Sequence, residues 1–72
     1  MGKELISFVK SKRRSLGLTQ QDLALRSGVG LRFVRDLEQG KKSLRMDKVN
    51  LVLSLFGHEL GPVKSNTVTD NE

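Results

Sequence analysis

Apolar residues along this chain recur at helical spacing in four runs, each closed by a break that contains glycine. The first run predicts a helix from Lys3 to Ser15: at about 100° per residue, Leu5, Ile6, Val9 and Leu16 share one face, Phe8 flanks it, and Gly17 ends it. The second predicts a helix from Gln20 to Arg26, started by a Thr19 hydroxyl cap with Asp22 in the first turn. The third covers Leu31 to Gln39 with Gly30 at its cap. The fourth begins between Leu44 and Met46 and ends at Phe56, with Gly57 as its stop. Met46, Val49, Val52, Leu53 and Phe56 make its core stripe. Leu51 and Leu55 form a second stripe nearly opposite, which faces water in a lone subunit and predicts a second subunit over it.

The segment after the fourth helix, HELGPVK from His58 to Lys64, predicts a short edge strand, because Pro62 cannot donate to a ladder. Paired with its own copy across a two-fold axis, it would add His58, Leu60 and Val63 to a dimer interface with Leu51 and Leu55. His58 reads as a partly exposed structural residue rather than a ligand. From Ser65 to Glu72 the chain is polar and reads as a disordered tail. The expected organisation is one all-α domain over residues 1–64, with four to five helices and a short C-terminal strand, followed by a tail over 65–72.

The stretch from Gln20 to Gln39 organises the rest. Gly28 marks a sharp corner between two short helices, since glycine takes a left-handed turn without steric cost. Ala24 is small enough for the next helix to cross closely, and Val34 and Leu37 supply the ridge that packs there. With those two inward, the third helix turns out Arg32, Arg35, Asp36 and Gln39, and Leu31 protrudes at its leading end. Such a face fits a major groove. The arginine fork matches guanine O6 and N7, an aspartate accepts from a cytosine amine or orients an arginine, and a leucine can touch a thymine methyl. Leu31, Arg32, Arg35 and Asp36 are therefore the expected base-reading residues, while Phe33 reads as packing. The phosphate contacts are assigned to Gln20 and Gln21 at the amino end of the second helix, to Gly30 and Gln39, and to the loop Lys41, Lys42 and Ser43.

Arg13 falls on the apolar face of the first helix. An unpaired charge there would cost several kcal/mol. Glu38, about 40° from Val34 on the third helix, also lies inward, so an Arg13 to Glu38 ion pair is expected to clamp the two helices, the alternative being that both side chains snorkel to solvent.

Charge and composition sharpen this picture. Up to Lys64, 13 Lys and Arg stand against six Asp and Glu, and only Asp70 and Glu72 follow, for a total of +5. A small domain with that excess suggests a polyanionic partner. The 72 residues are near the lower size for a self-sufficient core, which again favours a second subunit. With no cysteine and one histidine, no metal set, cofactor site or thiol chemistry is expected, and no nucleophile–base pair suggests an enzyme. Three phenylalanines without Tyr or Trp offer no stacking platform for single-stranded RNA. No secretory signal or membrane span is evident, so a bacterial cytosolic, nucleoid-associated location is expected.

The residues from Lys10 to Phe56, carried by KSKRRSLGLTQQDLALRSGVG and by LEQG, resemble the Xre and lambdoid-repressor helix-turn-helix family. Within it, GVGLRFVRDLEQGKKSLRMDKVNLVLSLFGHELGPV is most similar to HipB-type antitoxins of the y4mF group. The resemblance implies a lambda-repressor-like fold, an Arg13 to Glu38 pair, a phosphate contact by Gln20, and groove reading by Leu31, Arg32, Arg35 and Asp36. It departs from the family at Gly30, where Ser or Thr is usual. At subgroup level it implies a homodimeric repressor of its own operon, bound to an inverted repeat in double-stranded DNA, with a HipA-like kinase toxin as protein partner. The alternative reading is a solitary Xre-type or phage-derived regulator without a toxin. A pure protein-interaction module is the rival from another class.

Overall fold

A computed structural model describes residues 2–64. It contains four helices, α1 (Lys3–Ser15), α2 (Gln20–Ser27), α3 (Leu31–Gln39) and α4 (Met46–Leu55). The all-α class and the four helical runs are as the periodicity predicts, with boundaries that differ by a residue or so. The tail over 65–72 lies outside the described residues.

Helix α2 is the hub, packing against both α3 and α4, while α1 closes over α3. Val9 of α1, Leu23 and Ala24 of α2, Val34 and Leu37 of α3, and Val49, Val52 and Leu53 of α4 meet in one core, joined by Val29 from the α2–α3 turn. Ala24 is buried where α2 and α3 cross, as its small side chain allows. Phe8 and Phe56 close one end of this core edge to face, with ring centroids 6.2 Å apart.

The corner between α2 and α3 is made at Gly28, whose φ of 85° is left-handed, while its N–H donates to the Ala24 carbonyl. Gly40 ends α3 in the same way, with φ 84°. There the Lys41 N–H reaches back to the Asp36 carbonyl and the Gly40 N–H to Leu37. These bonds satisfy carbonyls that the end of α3 leaves open.

Two residues expected in the core are outside it. Leu16 is 57% exposed and Met46 is 66% exposed. Leu16 is the cap residue of α1, where the backbone has left the helical rotation. Met46 opens α4, ahead of the turns that touch α2. Helical phase is a poor guide at both places, because it describes interior turns.

The segment after α4 forms no strand and no fifth helix among the described residues. A strand needs a ladder partner; here the His58 N–H donates to the Leu53 carbonyl at 2.9 Å and the Leu60 N–H donates to Asn50 Oδ1 at 2.7 Å. Leu60 then packs half-buried against the core of its own chain, and the His58 ring stacks obliquely on Phe8 at 4.6 Å.

Candidate nucleic-acid interface

The amino end of α2 is built by a reciprocal cap. Asp22 N–H donates to Thr19 Oγ1 at 3.0 Å, and Thr19 N–H donates to Asp22 Oδ2 at 2.9 Å. The backbone N–H and the hydroxyl of Thr19 together hold the Asp22 carboxyl below its ordinary range. With the start of the helix locked, Gln20 and Gln21 stand on its first turn beside the turn that leaves α1.

Arg13 and Glu38 come together as a two-pronged pair, Nε to Oε2 at 2.7 Å and Nη2 to Oε1 at 3.0 Å. The third arginine nitrogen, Nη1, donates to the Leu18 carbonyl at 2.9 Å, so the same side chain pins the loop that leads to Thr19. Burial pushes the Glu38 carboxyl up. Hydrogen bonds from Arg13 and Gln20, with the charges of Arg13 and Lys10, outweigh burial and hold it below the ordinary glutamate range. The hydrogen bond to Glu38 raises the Arg13 guanidinium against the effect of burial.

Gln20 is the unexpected member of this group. Its Nε2 donates to Glu38 Oε1 at 3.1 Å, so its side chain is held by α3 rather than standing free in solvent. Sequence periodicity places Gln20 on the amino end of α2, but only the crossing of α2 and α3 brings it within reach of Glu38.

On α3, Val34 and Leu37 are fully buried, while Arg32, Arg35 and Gln39 are exposed and Leu31 and Asp36 are half-buried. Leu31, Arg32, Arg35, Asp36 and Gln39 line one shallow cleft along the outer side of this helix. Leu31 and Arg35 also line the neighbouring concavity with Thr19, Gln20 and Gln21, so the outer face of α3 adjoins the amino end of α2. Lys41, Lys42 and Ser43 are exposed just beyond α3, and Lys41 Nζ lies 3.6 Å from Asp36 Oδ2. Gly30 caps α3 with backbone alone, without a side-chain hydrogen bond.

Away from this face, Leu51, Leu55 and Val63 are exposed apolar residues, and His58 is exposed as well. Leu60 differs from the others expected at a subunit contact, since it is partly covered by its own chain. Leu25, 76% exposed on α2, is a further apolar surface residue that core periodicity did not flag. No group of three His, Cys, Asp or Glu able to hold a metal occurs among the described residues. None of the described helices is long and apolar enough to cross a membrane.

Two short helices at a glycine corner, the second presenting a polar, cationic outer face, define a helix-turn-helix protein. A helix-turn-helix family model matches residues 9–61, and the chain belongs to that family. It is 43% identical over 51 residues to a protein of Sinorhizobium fredii (strain NBRC 101917 / NGR234) named as an uncharacterized HTH-type transcriptional regulator, y4mF. The aligned stretch covers 71% of this chain and 67% of that relative.

Proposed function

We propose that this chain is a sequence-specific, double-stranded DNA-binding transcriptional repressor, working as a homodimer on an inverted repeat. The observation that carries the reading is the division of α3: Val34 and Leu37 have no exposure, while Arg32 and Arg35 stand exposed on the other side. Arg32 and Arg35 read base edges from the major groove, Leu31 contacts an apolar edge, and Asp36 takes part in the same face. Gln20, Gln21, Gly30, Gln39, Lys41, Lys42 and Ser43 surround that face and hold the phosphates. In a dimer the two copies of α3 lie about 34 Å apart, so that they enter successive major grooves on one side of the duplex.

The exposed Leu51, Leu55 and Val63 support a second copy as the cover of that side of α4. Residues 1–64 form the binding and dimerisation unit, and its working place is the bacterial cytosol at the nucleoid. The finer reading is the antitoxin of a HipAB-like operon, which represses its own promoter and neutralises a HipA-like kinase. It rests on the resemblance of the segment from Gly28 to Val63, and y4mF is also the name that the rhizobial relative carries.

Footprinting of the DNA upstream of its own gene tests the function. A protected dyad is expected, and its loss in the double variant R32A/R35A assigns the reading face. Absence of any protected duplex, there and in a selection from random duplexes, would reject the proposal. Copurification with the product of the adjacent reading frame separates the antitoxin from a solitary regulator.

A further inference from the structure

The outer face of α3 carries an acid among its cations, and its setting is specific. Of the two acids on α3, Glu38 is committed inward, with both oxygens taken by Arg13 and one also by Gln20. Asp36 is left to face the cleft shared by Leu31, Arg32, Arg35 and Gln39. Its side chain is 26% exposed, and Lys41 Nζ stands 3.6 Å from Oδ2, an ion pair longer than a hydrogen bond. The backbone fixes this arrangement, because the Lys41 N–H donates to the Asp36 carbonyl at 3.0 Å and folds the loop back over that residue.

We infer that Asp36 is the base-discriminating residue of the interface, selecting a cytosine at the position it faces, and that Lys41 is its counter-ion in the free protein. The inference rests on the DNA-binding reading above. A carboxylate only accepts hydrogen bonds. In the major groove it meets acceptors on guanine and thymine, whereas the edge of cytosine itself offers only its N4 amine, and adenine sets the acceptor N7 next to N6. The exposed pair with Lys41 is weak and opens readily. Once Lys41 turns to a phosphate, Asp36 keeps only Arg32 and Arg35 of the same cleft as cationic neighbours, and where those two are engaged by bases or phosphates it needs a base amine to accept from. Asp36 therefore acts by penalising wrong bases more than by adding affinity for the right one.

The experiment measures binding of the full chain to a library of duplexes varied one position at a time, for wild type, D36A, D36N and K41M. Wild type is expected to prefer cytosine at one position of each half-site by about tenfold or more over guanine or thymine. D36A should level that position, while raising affinity for unrelated duplex through the loss of a negative charge. D36N should turn the preference toward adenine, whose N6 and N7 an amide meets with two bonds. K41M should weaken all sequences together and lower the salt slope by about one, with the cytosine preference kept. If wild type binds with sequence preference and D36A leaves every base preference in place, this inference is overturned while the DNA-binding reading survives. It is overturned in the same way if K41M, and not D36A, levels the position. If wild type binds no duplex at all, the functional reading itself is overturned, and this inference with it.

Discussion

Arg13 and Glu38 grip each other with two hydrogen bonds of 2.7 and 3.0 Å, their side chains only 12% and 3% exposed, and so tie α1 to α3 across 25 positions of sequence. Taking two charges out of water opposes folding, and the pair is tolerated because almost every polar atom has a partner. The Leu18 carbonyl and the Gln20 amide complete the set. One clamp therefore fixes the support of α3, the loop into α2 and the first side chain of α2.

Breaking this pair on one side should be severe. E38A leaves the guanidinium buried without its carboxylate and is expected to lower stability by about 3–5 kcal/mol. Replacing both partners with apolar residues, R13M/E38L, should cost much less than E38A alone. Urea denaturation midpoints of the three proteins check both statements, and a double variant as unstable as E38A would contradict them.

Stability should fall in acid through the same residue. The folded Glu38 carboxyl titrates below its unfolded value, so the unfolded state takes up the proton first as pH falls. The contribution is fully present above the ordinary glutamate value of about 4.3 and is lost as pH drops through the lower folded value. Asp22, held low by Thr19, acts with the same sign. Denaturation midpoints followed from about pH 7 to about pH 3 should decline more steeply for wild type than for E38Q.

Three glycines should respond differently to a side chain. At Gly28, with φ 85° and open space around the new carbon, alanine is expected to cost about 1–2 kcal/mol from backbone strain alone. At Gly40, with φ 84°, the added carbon would also come within 3.2 Å of Ile6 Cδ1, so G40A should be worse than G28A. Gly30 has φ −76° and no neighbour within 4 Å. There G30S restores a hydroxyl cap and should stabilise by a few tenths of a kcal/mol. Thermal unfolding of the three variants gives the order directly.

Asn50 should hold the final segment. N50A removes the acceptor of the Leu60 N–H and is expected to cost about 1 kcal/mol. Hydrogen exchange at Leu60 should accelerate markedly, with little change at Leu53 in the core. Equal acceleration at both amides would mean that Asn50 supports the whole domain rather than this strap.

Local sequence determined the helices and their ends. Helical apolar spacing, the Thr19 cap and glycines at 17, 28, 40 and 57 are short-range signals, each acting within a turn or two of backbone. The inward side of α3 was equally legible, because Val34 and Leu37 leave Arg32 and Arg35 only the outer side. Arg13 and Glu38 could be matched since each lay on an apolar face, where the other offered a partner of opposite charge. Leu16, Met46, Gln20 and Leu60 were decided by tertiary structure. The first two sit at helix ends, where the direction of a side chain depends on the neighbour the helix meets. Gln20 finds Glu38 only because α2 crosses α3, and Leu60 finds Asn50 only because the chain turns back along α4. Periodicity records which side of a helix avoids water; it carries no record of which distant polar atom waits there, and that pairing is settled by how the helices cross.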